Sequence, residues 1–126
     1  MQKFTLNITY FKILDTINLL NEKHLYPLPY GVYKILLGEK DEETIKFKDF
    51  PTYGTLISYS SKKLARLIMM LHRYKYLAKK YDPKTDELYL EITPLGVSSL
   101  LEFKKKYHSA YKKKEVVLTP TIVEIK

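Results

Sequence analysis

The chain has 126 residues, 45% hydrophobic and 29% charged, with a net charge of +8 and a pI near 9.4. That length is most simply one domain with enough apolar material for a core, and it contains no cysteine for disulfides or thiolate zinc sites. No apolar run approaches the roughly 20 residues that span a bilayer, and the opening MQKFTLNITYF lacks a signal-peptide h-region and cleavage site.

Tyr10, Ile13, Leu14, Ile17 and Leu20 recur at helical spacing and predict an amphipathic helix from about Thr9 to Lys23. YPLPYGVYKILLG predicts a second helix, with Pro29 in its first turn and Gly38 as its stop. The acidic EKDEE leads into a short turn or helix, and FPTYG reads as a loop. A third helix opens at Ser60 or Ser61, both suited to an N-cap. Leu64, Leu67, Ile68 and Leu71 form its apolar face, and at about 100° per residue Lys62, Arg66, Met69 and Arg73 share the opposite one. YLAKKYD and ELYLEIT are β-prone runs joined by PKTD, the pattern of a hairpin. Thr93-Pro94 reads as an N-cap and first-turn proline opening a last helix through LGVSSLLEFKKKYHSAY. The tail EVVLTPTIVEIK alternates β-branched residues, as a final strand or an extended arm would. Three helices, a hairpin and a further helix outline an α+β winged helix-turn-helix, with residues 9–103 as its core and 104–126 as a basic helix end and tail.

Charge is segregated along this order. Thr52 to Tyr81 holds seven basic residues and no Asp or Glu, while acids cluster between Glu39 and Glu43 and between Asp82 and Glu91. A basic surface concentrates polyanions, which points to nucleic acid or an anionic membrane. Lys62, Arg66 and Arg73, with Lys63 beside them, suit phosphate contacts, and Met69 suits packing on sugar or base. Ser60, Ser61 and the helix amides they introduce suit a phosphate as well. Lys79, Lys80 and Lys84 on the hairpin can follow a second stretch of backbone, and Tyr81 and Tyr89 can stack on bases. Plainer readings stand beside these: a solvated helix face, ordinary capping, and lysines that protect a sheet edge. Core packing is expected for Tyr10, Tyr30, Tyr33 and Tyr107, and KKKYHSAYKKK reads as a solvated helix end or a nonspecific polyanion site.

Catalytic patterns are missing. His24, His72 and His108 have no metal-ligand spacing, no G-x-x-x-x-G-K-[ST] loop occurs, and EKDEE lacks the spacing of a Ca²⁺ loop. No catalytic residue, metal or cofactor is expected.

Four pieces also carry a family likeness. GVYKILLG is a helix ending in Gly, TYGTLISYSSKKLARLIMML an aromatic-Gly turn, spacer and helix, LYLEITPLGVSSL a strand running into a Thr-x-x-Gly helix start, and VVLTPTIVEIK an extended terminal segment. In that order, chiefly from Tyr30 to Leu100, they resemble the RQC domain, the winged-helix DNA-binding module near the C-terminus of RecQ-type DNA helicases. The resemblance implies a monomeric intracellular module, in the cytoplasm or nucleoid or in a nucleus, that binds duplex ends, forks or junctions. It would serve an ATP-driven motor, in the same or another chain, in repair or recombination. The chain departs from the family in three places. Glu39 stands where a small hydroxyl residue often follows the second-helix Gly, the wing tip Pro83-Lys84-Thr85-Asp86 carries no aromatic residue or His, and the zinc-binding and ATPase parts have no counterpart. The bare tip suits a clamp better than a wedge, and the missing parts fit either a fragment or a stand-alone protein. PadR- and MarR-like repressors share the hairpin and Thr-x-x-Gly start, so a dimeric repressor on a palindromic operator is the alternative, and a protein-interaction winged helix a third.

Overall fold

Helix α1 (Ile8–Glu22) runs through the middle of the molecule, and α2 (Pro29–Leu37), α4 (Ser61–Arg73), α5 (Pro94–Lys106) and the hairpin all pack on it. The structure is a computed structural model and describes residues 6–106. The end of the expected last helix, Tyr107 and the tail EVVLTPTIVEIK lie outside the described residues. A short helix α3 (Glu42–Ile45) and the strands β1 (Leu77–Asp82) and β2 (Glu87–Ile92) complete the order. The α+β winged-helix expectation is borne out.

The first helix differs from its amphipathic reading. Every residue from Phe11 to Ile17 is buried, Lys12, Asp15 and Thr16 included, because neighbours cover α1 on all sides. Its buried polar groups are therefore matched inside the protein, as burial without partners would be costly. The Thr16 hydroxyl donates to the Lys12 carbonyl at 2.8 Å and shares a 2.6 Å hydrogen bond with the Thr52 hydroxyl. Asp15, only 1% exposed, faces the Lys104 ammonium of α5 at 3.0 Å. Phe11 and Phe103 stack with centroids 3.8 Å apart, closing α5 onto α1.

The second helix starts at Pro29, as the sequence suggests, and ends on Gly38 at φ 73°. Gly38 and Glu39 donate their N–H groups to the carbonyls of Ile35 and Lys34, a Schellman ending. The turn at Tyr53-Gly54 then folds back over this helix end. Gly54 N–H and Leu56 N–H donate to the Ile35 and Leu36 carbonyls, and the Tyr53 hydroxyl donates to the Glu39 carbonyl at 2.6 Å. A Cβ on Gly38 would meet Gly54 Cα at 3.0 Å, and both residues have positive φ, so two glycines cross in close backbone contact. The two motifs quoted from the sequence thus form one joint.

That joint delivers the chain to Ser60, the N-cap of α4, whose hydroxyl accepts from Lys63 N–H at 3.1 Å. Leu64, Ile68 and Leu71 are buried against α1 and α2, with Leu67 partly buried beside them. The strands pair antiparallel from Leu77 opposite Ile92 to Asp82 opposite Glu87. The other edge of β2 is covered by the end of α1 and the segment after it: Ile92 N–H donates to Asn21 Oδ1 and Leu90 N–H to the Pro27 carbonyl, both at 2.8 Å. Tyr10 and Tyr33 pack against the core as expected, and burial raises both phenol pKa values. Tyr30 does not. It is 63% exposed because it lies on the opposite side of α2 from the buried Val32, Ile35 and Leu36.

Candidate nucleic-acid interface

Helix α4 carries a clean division of character. Lys62, Arg66 and Arg73 are exposed on one side, and Met69 among them is 58% exposed. Ser60, Ser61 and Lys63 are exposed around the helix start. Among the described residues, none of Lys62, Lys63, Arg66 and Arg73 is ion-paired to a carboxylate. Their charges are uncommitted, so an incoming phosphate has no internal partner to displace. The first turn of α4 contains no acid, and the Ser61 and Lys62 N–H groups have no intrahelical acceptor. Amides, dipole and ammonium groups therefore all present positive potential at one end of one helix.

Lys63 falls beside the stripe rather than on it, one residue and about 100° away from Lys62. Its ammonium lies 5.6 Å from the centroid of the Tyr59 ring, within cation–π range. The Tyr59 hydroxyl is 3.1 Å from the Thr9 hydroxyl on α1, and the half-buried ring packs against the core. The sequence reading passed over Tyr59. An aromatic residue just before an N-cap Ser and four residues before a Lys was the pattern available to find it.

The wing divides its lysines. Lys79 sits opposite Leu90 on the face that carries Leu77, whereas Lys80 sits opposite Tyr89 on the other face. Lys80 also has partners already, Glu91 at 3.3 Å and the Tyr26 ring at 6.0 Å. Strand alternation therefore prevents Lys79 and Lys80 from presenting one surface. Lys84 is exposed at the tip between Asp82 and Asp86, and the Asp82 side chain accepts its backbone N–H at 2.9 Å. Tyr81 is 57% exposed, and its hydroxyl donates to Asp86 at 2.6 Å. That hydrogen bond, helped by burial, raises the phenol pKa. Tyr89 is tied to Thr85 and Glu87. The tip is thus a small acidic turn, braced by two tyrosines, with one lysine in it.

The acids after α2 have a structural use. Asp41 caps α3 by accepting Thr44 N–H at 2.9 Å and meets Lys34 at 2.6 Å. The hydrogen bond from Lys34, with those from Thr44, holds the Asp41 carboxyl down at about 2 against a smaller opposing effect of burial. The same pairing raises Lys34. Glu39, where the family often has a hydroxyl residue, is exposed and contributes its backbone carbonyl to Tyr53. Among the described residues no three His or acidic side chains are grouped to hold a metal, and no helix is long and apolar enough to cross a membrane.

No curated protein matches the sequence. The RQC domain family matches residues 12–116, which includes α2, the Gly38–Gly54 joint, α4, the hairpin and α5. The chain belongs to the RQC domain family, the DNA-binding winged-helix modules of RecQ-type helicases.

Proposed function

We propose that this domain grips duplex DNA through α4, with Ser60, Ser61, Lys62, Lys63, Arg66 and Arg73 on phosphates and Met69 on sugar or base. The observation that carries this reading is the set of basic side chains on α4 without carboxylate partners, beside a Ser-capped, acid-free helix start. Such contacts are to the backbone, so affinity is phosphate-dominated, weakly dependent on sequence and steeply dependent on salt.

The wing is a lateral guide. Lys79 continues the basic character of α4 along β1, and Tyr81 offers a braced ring near the tip. Asp82, Asp86 and Glu87 surround Lys84, which disfavours close approach of phosphates at the tip and suits a clamp beside the duplex rather than a wedge between strands. Membership of the RQC family is what suggests duplex ends, forks and junctions as the targets, in service of a RecQ-type motor in repair or recombination. The domain acts as a monomer inside the cell.

Fluorescence anisotropy with blunt duplex, forked duplex, four-way junction and single strand, each at two salt concentrations, tests the reading. Forked or branched DNA is expected to bind more tightly than single strand, and every duplex-containing substrate to weaken steeply with salt. Equal or tighter binding of the single strand would overturn it.

A further inference from the structure

We propose that Tyr59 is a positioning residue for DNA binding: its ring fixes the Lys63 ammonium at the start of α4, and its hydroxyl anchors that arrangement to α1. The inference rests on the reading of α4 as the DNA-gripping helix and adds a residue that contacts no DNA itself.

A lysine side chain loses rotamer entropy when it is immobilised. Lys62, Arg66 and Arg73 lose it on meeting a phosphate. Lys63 is partly immobilised beforehand, because its ammonium sits 5.6 Å from the Tyr59 ring centroid. The ring is itself fixed. Tyr59 N–H donates to the Leu56 carbonyl at 2.9 Å, its hydroxyl meets Thr9 at 3.1 Å, and its flank packs on the core. A half-buried ring of this kind does not neutralise the ammonium as a carboxylate would. It orients the charge and leaves it available, which a phosphate ligand requires. An ion pair in the same place, such as Lys80 with Glu91, spends the charge inside the protein.

The test is a double-mutant cycle on blunt-duplex affinity with Tyr59→Leu, Tyr59→Phe and Lys63→Ala. A cation–π contact at an exposed site is worth about 0.5–1 kcal/mol, or roughly 2–5-fold in affinity. Tyr59→Leu is expected to weaken binding by that factor in the wild-type background and to have no further effect once Lys63 is alanine. Tyr59→Phe keeps the ring but frees it from Thr9, and is expected to lose less affinity than Tyr59→Leu. In the free protein, proton NMR of the Lys63 side chain should show an upfield ring-current shift that survives Tyr59→Phe and vanishes in Tyr59→Leu. Equal losses for Tyr59→Leu with and without Lys63, or a Lys63 resonance at its ordinary position in wild type, would overturn the proposal. If Lys63→Ala leaves duplex affinity unchanged while Lys62→Ala with Arg66→Ala weakens it, this inference fails and the reading of α4 stands. If neither changes affinity, both fail.

Discussion

Gly96 sits where a methyl group has no room. A Cβ there would lie 2.3 Å from the Tyr76 carbonyl and 2.7 Å from Ile92 Cγ1. Thr93, three residues earlier, explains the tightness. Its hydroxyl donates to the Lys75 carbonyl at 2.7 Å and accepts from Gly96 N–H at 3.0 Å, while its own N–H donates to the Tyr76 carbonyl at 3.1 Å. Thr-x-x-Gly therefore joins the end of α4, the base of the wing and the start of α5. Gly96→Ala is expected to destabilise by roughly 2–3 kcal/mol, the upper part of the range for forced overpacking. A melt followed by circular dichroism should show Tm lower by on the order of 10 °C; an unchanged Tm would mean that the junction is looser than its distances indicate. Asp41 gives a second expectation, in pH. Its folded carboxyl titrates at about 2, below its ordinary value. Its contribution is thus present above the ordinary carboxylate range and lost as pH falls towards about 2. The raised Lys34 pKa leaves the pair intact through neutral pH. The difference in urea midpoint between wild type and Asp41→Asn should be constant near neutral pH and shrink below about pH 4. A difference independent of pH down to the acid limb would remove the pair from the stability of the joint.

At the level of elements, what could be read from the sequence depended on how many sides of an element are buried. Helix α4 has one buried and one solvated face, so its period of about 3.6 identified both the core residues and the basic stripe. Helix α1 is covered on every side in its middle, and a helix buried all round has no polar face to mark it. Its partners were equally hidden, since nothing local links Asp15 to Lys104 or Thr16 to Thr52. Tyr30 misled in the opposite direction. An aromatic residue in an apolar helix suggests core, but its angular position on a short helix directs it outward. In the hairpin the turn followed from PKTD and its β-prone flanks, yet adjacent lysines were grouped into one site that strand alternation splits. The end of α2 and the start of α4 were accessible because Gly38 and Ser60 are strong local determinants. That Gly38 would cross Gly54 was not, because it is a fact of packing.

For the whole molecule, the segregated charge acquires a structural meaning. The acid-free stretch from Thr52 to Tyr81 runs from the glycine joint through α4 into β1, so one continuous piece of chain supplies the basic surface. The acids between Glu39 and Glu43 surround α3, where Asp41 is used as a cap, and those from Asp82 to Glu91 populate the wing tip and β2. The most direct measurement is the salt dependence of duplex binding for wild type, for Lys62→Ala with Arg66→Ala, and for Lys40→Ala with Lys48→Ala as a control outside the acid-free stretch. Each lost phosphate contact lowers the slope of log affinity against log salt by about 0.9. The α4 double variant is therefore expected to lose about 1.8 from the slope on every duplex substrate, while the control pair keeps the wild-type slope. A wild-type slope in the α4 variant, or an equal loss in the control, would contradict the assignment of DNA binding to α4.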